Sequence, residues 1–285
     1  MTGRVAVLGA GTMGHGIAHV CAMAGFDVVL ADASEHLARR GIDRIRGNLE
    51  DGVRRGKLDS AAADAHLHRI TTAATAEVAA ADAGIIIEAV PEKPDLKRDV
   101  LQRAEDAAPD TALLATNTSS LSIAELQGSL RRPGRFIGLH FFNPVHINRL
   151  LEVVRGPATS EETVRQGLDF AGRIGKEAIL VNDSPGFATS RLGVLLGLEA
   201  MRMLEEGVAD ATAIDRAMEL GYRHPMGPLR LTDLVGLDVR LDIARYLHEK
   251  LGTEQFRPPA ILERMVAEGR LGRKSGRGFY DWRET

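Results

Sequence analysis

At 285 residues, with 44% hydrophobic residues and a formal net charge of −3, the chain has the make-up of a soluble globular protein large enough for two cores. It carries no basic excess of the kind that nucleic-acid binding needs. The single cysteine excludes an intrachain disulfide, and no apolar run reaches the ~18 residues of a membrane span. The first strand begins at Arg4, so no leader is expected, and a bacterial cytoplasm is the expected location.

Arg4-Val5-Ala6-Val7-Leu8 is a short apolar run suited to a strand buried on both faces of a parallel sheet. It runs into Gly9-Ala10-Gly11-Thr12-Met13-Gly14, after which Ile17, Val20, Cys21 and Ala24 mark a helix broken at Gly25. Phe26 to Ala31 reads as a second strand closing on Asp32. Gly9 allows the tight turn, Gly11 lets a pyrophosphate approach the backbone, and Gly14 lets helix pack on strand. The helix N-terminus offers N–H groups and partial positive charge to the phosphates. Asp32 can accept hydrogen bonds from ribose hydroxyls and would repel a 2′-phosphate. Strand, glycines, helix, second strand and acid arrive in order, which predicts a dinucleotide site.

Ser34 to Gly56 reads as one long helix with Ser34 as its N-cap. It carries Arg39, Arg40, Arg44, Arg46, Arg54 and Arg55, with Lys57 just beyond. This is either a solvated face or a clamp for an anionic substrate tail, and spacing alone favours the former. A second helix over Ala61 to His68 leads to a short strand at Arg69 to Thr71, then to an alanine-rich patch at residues 73–83. Gly84 to Val90 is the next strand, stopped at Pro91-Glu92-Lys93-Pro94, and a helix follows from Asp95 to Ala107. Thr111 to Ala115 is a strand whose carboxyl end carries Thr116-Asn117-Thr118-Ser119-Ser120, where open α/β sheets bind ligands. Ser122 with Glu125 makes a capping box, which leaves Asn117 and Ser119 without a structural task.

Arg135 to Leu139 is a strand ending at His140, and Leu150 to Val154 looks like its neighbour, with Glu152 inside an apolar run. A carboxylate in Leu-Leu-Glu-Val-Val is costly to bury alone, so it needs a partner, and His140 is the candidate. A purely structural His140 would leave Glu152 unexplained. Glu161 to Ile174 is helical and Glu177 to Val181 closes the sheet. From Pro185 onward the pattern is helical throughout, which places a domain boundary near residues 183–185. Leu192 to Leu204 is apolar around most of its circumference, predicting a helix buried on several sides and a homodimer formed through this half.

These residues resemble the 3-hydroxyacyl-CoA dehydrogenase family, in particular its short bacterial 3-hydroxybutyryl-CoA type. The resemblance spans essentially the whole chain. It rests on Gly9 to Gly14, Asn117 to Ser120, His140-Phe-Phe-Asn-Pro144, Leu151-Glu152-Val-Val154 and Ser184-Pro-Gly-Phe187. His224-Pro-Met-Gly-Pro228, residues 233–238 and residues 272–280 extend it.

The resemblance implies an α/β fold, with a Rossmann-type dinucleotide-binding sheet domain over residues 1–183. A smaller all-α domain over 184–285 would shape the substrate cleft and the dimer. It implies NAD as cofactor, an acyl-CoA as substrate, and no metal, nucleic acid or membrane. By resemblance His140 is the catalytic base, held by Glu152, while Ser119 and Ser190 orient the substrate oxygen in a cleft that excludes water. Gly9, Gly11, Thr12, Met13, Gly14, Asp32, Glu92, Lys97, Asn117 and Asn143 line the cofactor. Arg55 stands where relatives carry a substrate-binding lysine, which raises the clamp reading for that residue alone. Relatives carry asparagine in place of Ser190, and proline and methionine in place of His146 and Asn148. Two other readings are a dehydrogenase of free hydroxy acids such as L-gulonate, and a non-catalytic NAD-binding relative. The intact Ser119, His140 and Glu152 speak against the latter.

Overall fold

The structure, a computed structural model of the chain, describes residues 3–283. The chain divides after Asp183 into two compact units. In the first, β1 (Arg4–Leu8), α1 (Gly14–Met23), β2 (Asp27–Ala31), α2 (Glu35–Arg54), α3 (Ser60–His68) and β3 (Ile70–Ala73) follow in turn. Next come α4 (Ala76–Ala80), β4 (Ile85–Glu88), α5 (Pro94–Ala107), β5 (Leu113–Thr116) and α6 (Ile123–Gln127). β6 (Phe136–Phe141), β7 (Leu150–Arg155), α7 (Glu161–Arg173) and β8 (Glu177–Asn182) complete the unit.

The eight strands form one sheet in the order β3-β2-β1-β4-β5-β6-β7-β8. All neighbours are parallel except β6 and β7. The chain leaves β1 toward one edge and returns beside it to build toward the other. A crevice therefore opens outside the carboxyl ends of β1 and β4, where such sheets take their ligands. Val5, Val7, Ile85, Ile87, Leu113 and Ile137 are buried in one core with α1 and α7, and Ala6, Ile86 and Leu114 next to them are buried too, as strands covered on both faces require.

Local chemistry sets the helix starts. Ser34 accepts from the N–H of Leu37 at 3.3 Å and Asp59 from that of Ala62 at 2.8 Å. Thr75 caps α4 in the same way, so the alanine-rich patch, unassigned from sequence, is helical at its centre. Ser122 accepts from Glu125 N–H as the capping box requires, but the start of α6 has a second acceptor. Asp183 Oδ2 takes hydrogen bonds from Ser122 Oγ at 2.9 Å and from Ala124 N–H at 2.8 Å.

The second unit comprises α8 (Thr189–Glu205), α9 (Ala211–Arg216), α10 (Pro228–Val235), α11 (Leu237–Leu251) and α12 (Ala260–Ala267). Its core gathers Val194, Leu198, Met201, Leu229, Leu241 and Leu262. The helix holding Leu192 to Leu204 is packed around most of its circumference, with Val194, Gly197, Leu198, Ala200 and Met201 buried and Leu195, Met203 and Leu204 against the same core. A strip remains open, where Leu192 is 61% and Leu196 42% exposed. One expectation is corrected here: the unit is not helical to its end, since Gly272–Arg277 and Arg277–Asp281 make antiparallel bridges. The buried Asp233 carboxylate anchors this segment, accepting from the N–H groups of Phe279 and Tyr280 at 2.9 Å and from Trp282 Nε1 at 2.8 Å.

Candidate active site

The turn after β1 is built for close approach. Gly9 has φ +105°, and a Cβ there would sit 2.6 Å from Ala89 O. A Cβ at Gly14 would fall 1.7 Å from Gly9 O, so any side chain would push α1 off the strand. Gly11 differs, with nothing within 4 Å of where its Cβ would be. Its absent side chain leaves open space beside the backbone, as a pyrophosphate needs. Thr12 is exposed, and Met13, at the N-cap of α1, makes no side-chain cap, so the first N–H groups of α1 have no side-chain acceptor there.

Asp32, just past β2, closes the far side of the turn. Its Oδ2 accepts from Ala10 N–H at 2.7 Å and its Oδ1 from Ala33 N–H at 2.6 Å. Two of about four acceptor positions remain for ribose hydroxyls. Gly9, Asp32, Thr75, Val90, Pro91 and Arg103 border a cavity of about 380 Å³. An open glycine turn, a helix end without a side-chain cap, a carboxylate and an adjoining cavity fit a dinucleotide.

A buried polar chain lies beside this turn, at the carboxyl ends of β4 and β5. Lys97 Nζ, on α5, sits 2.8 Å from Glu88 Oε1 and 3.1 Å from Glu92 Oε2, with the Lys97 side chain 1% and the Glu88 side chain 0% exposed. Thr116 Oγ1 donates to Glu88 Oε2 at 2.6 Å, and Val90 N–H to Glu88 Oε1 at 2.7 Å. Burial pushes the Glu88 carboxyl up against the pull of Lys97 and these hydrogen bonds. Burial acts on Glu92 too, but the charge of Lys97 and the Thr118 hydroxyl outweigh it and hold that carboxyl down. Glu92 Oε1 then accepts from Ser119 N–H at 3.2 Å and from Ser120 Oγ at 3.3 Å, which fixes the loop carrying Ser119. Among the described residues no hydrogen bond engages the Ser119 hydroxyl.

Two strands away lies the histidine. In the antiparallel pair β6–β7 the register sets His140 directly opposite Glu152. Directly opposed residues project from the same face of the sheet, with Cβ atoms about 5 Å apart. His140 Nδ1–H donates to Glu152 Oε2 at 2.7 Å. Glu152 is fully buried and His140 6% exposed. A carboxylate on Nδ1 selects the tautomer in which Nε2 is the unprotonated nitrogen, which makes Nε2 the proton acceptor. The Phe142 ring packs 4.4 Å from the imidazole, centroid to centroid. Asn117 braces the same strand, its Oδ1 accepting from Phe141 N–H at 2.9 Å. The structure thus brings Glu92, Lys97 and Ser119 into one cluster, and Asn117, His140 and Glu152 into another.

Other residues singled out from sequence stand elsewhere. Asn143 is exposed beside a cis bond to Pro144, and its carbonyl accepts from Asn148 Nδ2 at 2.7 Å. Arg55 ends α2, exposed and paired with Asp51, its Nε 2.8 Å from Oδ2. Arg39, Arg46 and Arg54 also pair with acids of their own helix, as a solvated face does. Ser190 lies half-buried in the first turn of α8, in the second unit. His19, on α1, is buried beside the His146 ring with neither ring nitrogen hydrogen-bonded. Burial and its histidine neighbours push its pKa down to about 4, so it is a neutral core ring. Sequence reasoning missed Glu88. Its signal was the one that exposed Glu152, an acid closing the apolar run Ile85-Ile86-Ile87.

The chain can now be set beside known proteins. The family model described as 3-hydroxyacyl-CoA dehydrogenase, NAD binding domain, matches residues 4–184, and that of the family's C-terminal domain matches residues 186–282. Over 281 residues the chain is 43% identical to a Bacillus subtilis (strain 168) protein named probable 3-hydroxybutyryl-CoA dehydrogenase, covering 99% of this chain and 98% of that one. A Bradyrhizobium diazoefficiens protein named 3-hydroxybutyryl-CoA dehydrogenase is 42% identical over 280 residues, covering 98% of this chain and 95% of the other. Among solved structures, (S)-3-hydroxybutyryl-CoA dehydrogenase PaaH1 from Ralstonia eutropha superposes with a TM-score of 0.94 at 38% identity over 99% of both chains. The likeness is full-length in sequence and in fold and takes in both halves, so the chain belongs to the 3-hydroxyacyl-CoA dehydrogenase family.

Proposed function

We propose that the chain catalyses the reversible, NAD-dependent oxidation of (S)-3-hydroxyacyl-CoA to 3-oxoacyl-CoA, with 3-hydroxybutyryl-CoA as a substrate. The observation that carries this is the buried His140–Glu152 pair, with Nδ1 2.7 Å from the carboxylate. The chemistry that NAD supplies when bound is acceptance of the hydride from C3. In oxidation, His140 Nε2 takes the hydroxyl proton; in reduction, the imidazolium returns it. Glu152 keeps Nδ1 protonated and stabilises the imidazolium, as the carboxylate of a serine-protease triad does. The Ser119 and Ser190 hydroxyls hydrogen-bond the substrate oxygen. The Gly9–Gly14 turn, with Thr12 and Met13, holds the pyrophosphate, and Asp32 the adenosine ribose. Asn117, Asn143, Glu92 and Lys97 serve the nicotinamide end, and Arg55 meets the phosphates of CoA.

NADH consumption with acetoacetyl-CoA, followed at 340 nm, tests the reading. Turnover of the thioester and none of the free 3-oxo acid is expected. Turnover of the free acid alone would select the hydroxy-acid reading, and no consumption with any acyl-CoA would reject the enzyme. Asp32→Ala should erode the preference for NAD over NADP about tenfold or more, since ribose hydrogen bonds to a carboxylate are lost and the 2′-phosphate is no longer repelled. The kcat/KM ratio of the two cofactors measures it, and an unchanged ratio would place selectivity elsewhere.

The exposed Leu192 and Leu196 support a homodimer, in which a second copy covers this face of α8. Sedimentation at micromolar concentration should give twice the 30.7 kDa chain mass, and a monomer there would overturn it. No helix among the described residues is long and apolar enough to cross a membrane. We place the enzyme in the cytoplasm, in fatty-acid and butanoate metabolism.

A further inference from the structure

Glu88 and Thr116 stand opposite each other where β4 and β5 end, and both are fully buried. The Thr116 hydroxyl makes two bonds there. It donates to Glu88 Oε2 at 2.6 Å and accepts from Thr118 N–H at 3.3 Å. Thr118, also buried, repeats the arrangement two residues along. Its hydroxyl donates to Glu92 Oε1 and accepts from the N–H groups of Leu121 at 2.9 Å and Ser120 at 3.3 Å. Lys97 Nζ then joins Glu92 to Glu88, at 3.1 and 2.8 Å, and closes a ring.

Two acids, a lysine and two hydroxyls are a costly way to close the end of two strands. Apolar residues of similar volume would do so at equal or lower cost. Valine has the shape of threonine and suits a strand as well, so the strand itself asks for no hydroxyl at position 116. What the ring adds is placement. It grips Thr116 and Thr118, the residues on either side of Asn117. Asn117 N–H donates to Glu88 O at 2.8 Å, and Asn117 Oδ1 accepts from Phe141 N–H at 2.9 Å, one residue past His140. Ser119 follows directly, its N–H donating to Glu92 Oε1 at 3.2 Å. One short segment thus ties the strand of the proton acceptor to the loop of the serine, and the ring fixes it at both ends.

We infer that Thr116 is a positioning residue of the reaction, whose hydroxyl sets Ser119 in place relative to His140 through the Glu88–Lys97–Glu92 ring. This rests on the roles proposed for Ser119 and His140. Sealed from solvent, Thr116 acts only through its neighbours. Its hydroxyl has one hydrogen and spends it on Glu88, so it meets Thr118 as an acceptor, and valine can do neither. Without that hydroxyl the Thr118 N–H loses its acceptor and Glu88 one of its donors. The loop is then held from the Glu92 side alone. A misplacement of about 1 Å in a reacting group is enough to cost about 10²-fold in rate.

The test follows hydride transfer from NADH to acetoacetyl-CoA in a single turnover. It compares the wild-type protein, Thr116→Val, Thr116→Ser, Ser119→Ala, and Thr116→Val combined with Ser119→Ala. Thr116→Val should slow transfer about 10- to 100-fold, and Thr116→Ser, which keeps the hydroxyl, should recover most of the rate. In the Ser119→Ala background Thr116→Val should cost little more, because the placement of an absent hydroxyl no longer matters. Thr118→Val opens the ring at its other hydroxyl and should give the same pattern, so the test does not hang on one variant folding. An unchanged rate in Thr116→Val overturns the inference. Losses that multiply in the double variant also overturn it and leave Thr116 a strand-end residue of the fold. Full activity in Ser119→Ala removes the role of Ser119 and this inference with it, while the dehydrogenase reading stands. No turnover by the wild type defeats both readings.

Discussion

His140→Gln should lower kcat by about 10²- to 10⁴-fold, the usual range for loss of a positioned general acid–base. Glutamine fills much of the volume of the imidazole and can still donate to Glu152, but its amide cannot take up a proton at neutral pH. The loss should therefore fall on turnover and spare NAD binding, because the glycine turn and Asp32 follow β1 and β2 while His140 lies on β6. Paired measurements of kcat and of NADH affinity by fluorescence titration check this. Full activity in the variant would reject the assignment. Adding Glu152→Gln should cost little more, since residues that act as one unit do not add. A multiplicative loss would show that Glu152 acts independently of the ring.

Lys97→Met should destabilise the first unit by about 3–5 kcal/mol, the range for breaking a buried ion pair from one side. Lys97 is the only cation within salt-bridge distance of Glu88 among the described residues, and the Glu88 side chain has no exposure to water. Without the ammonium, the carboxyl is left with Thr116, the Val90 N–H and a burial that already pushes its pKa up. Glu88→Gln in the same chain should recover much of the loss, because an amide needs no counter-charge. The midpoint and slope of urea unfolding measure both variants. A loss below about 1 kcal/mol would mean that water or rearrangement replaces the ammonium, and that the pair is not the strut that geometry suggests.

Both expectations turn on buried charges, and these were unequally legible in the sequence. Glu152 stood out because apolar residues flank it on both sides, and an acid so placed demands a partner. Glu88 obeys the same rule but closes its strand, where an acid looks like the first residue of a solvated loop. The glycine turn and Asp32 were readable because every part lies within one β-α-β stretch. The antiparallel turn between β6 and β7 was not, since an apolar run has the same composition whichever way its neighbour points. Asp183 capping α6 joins residues far apart in the chain, which no local pattern reports. For α8, periodicity identifies the apolar positions but not which of them the chain itself covers and which, like Leu192 and Leu196, it leaves exposed.

The in-register opposition of His140 and Glu152 has a consequence for how this enzyme can vary. The spacing of the two groups is measured out by the ladder of backbone hydrogen bonds, not by the residues 142–149 that connect them. That connection is free to lengthen, shorten or change composition while the ladder holds. A slip of one residue along it would throw the acid to the opposite side of the sheet and strip the ring of its anchor. The strands act as a ruler for the chemistry, and the loop is where evolution can write.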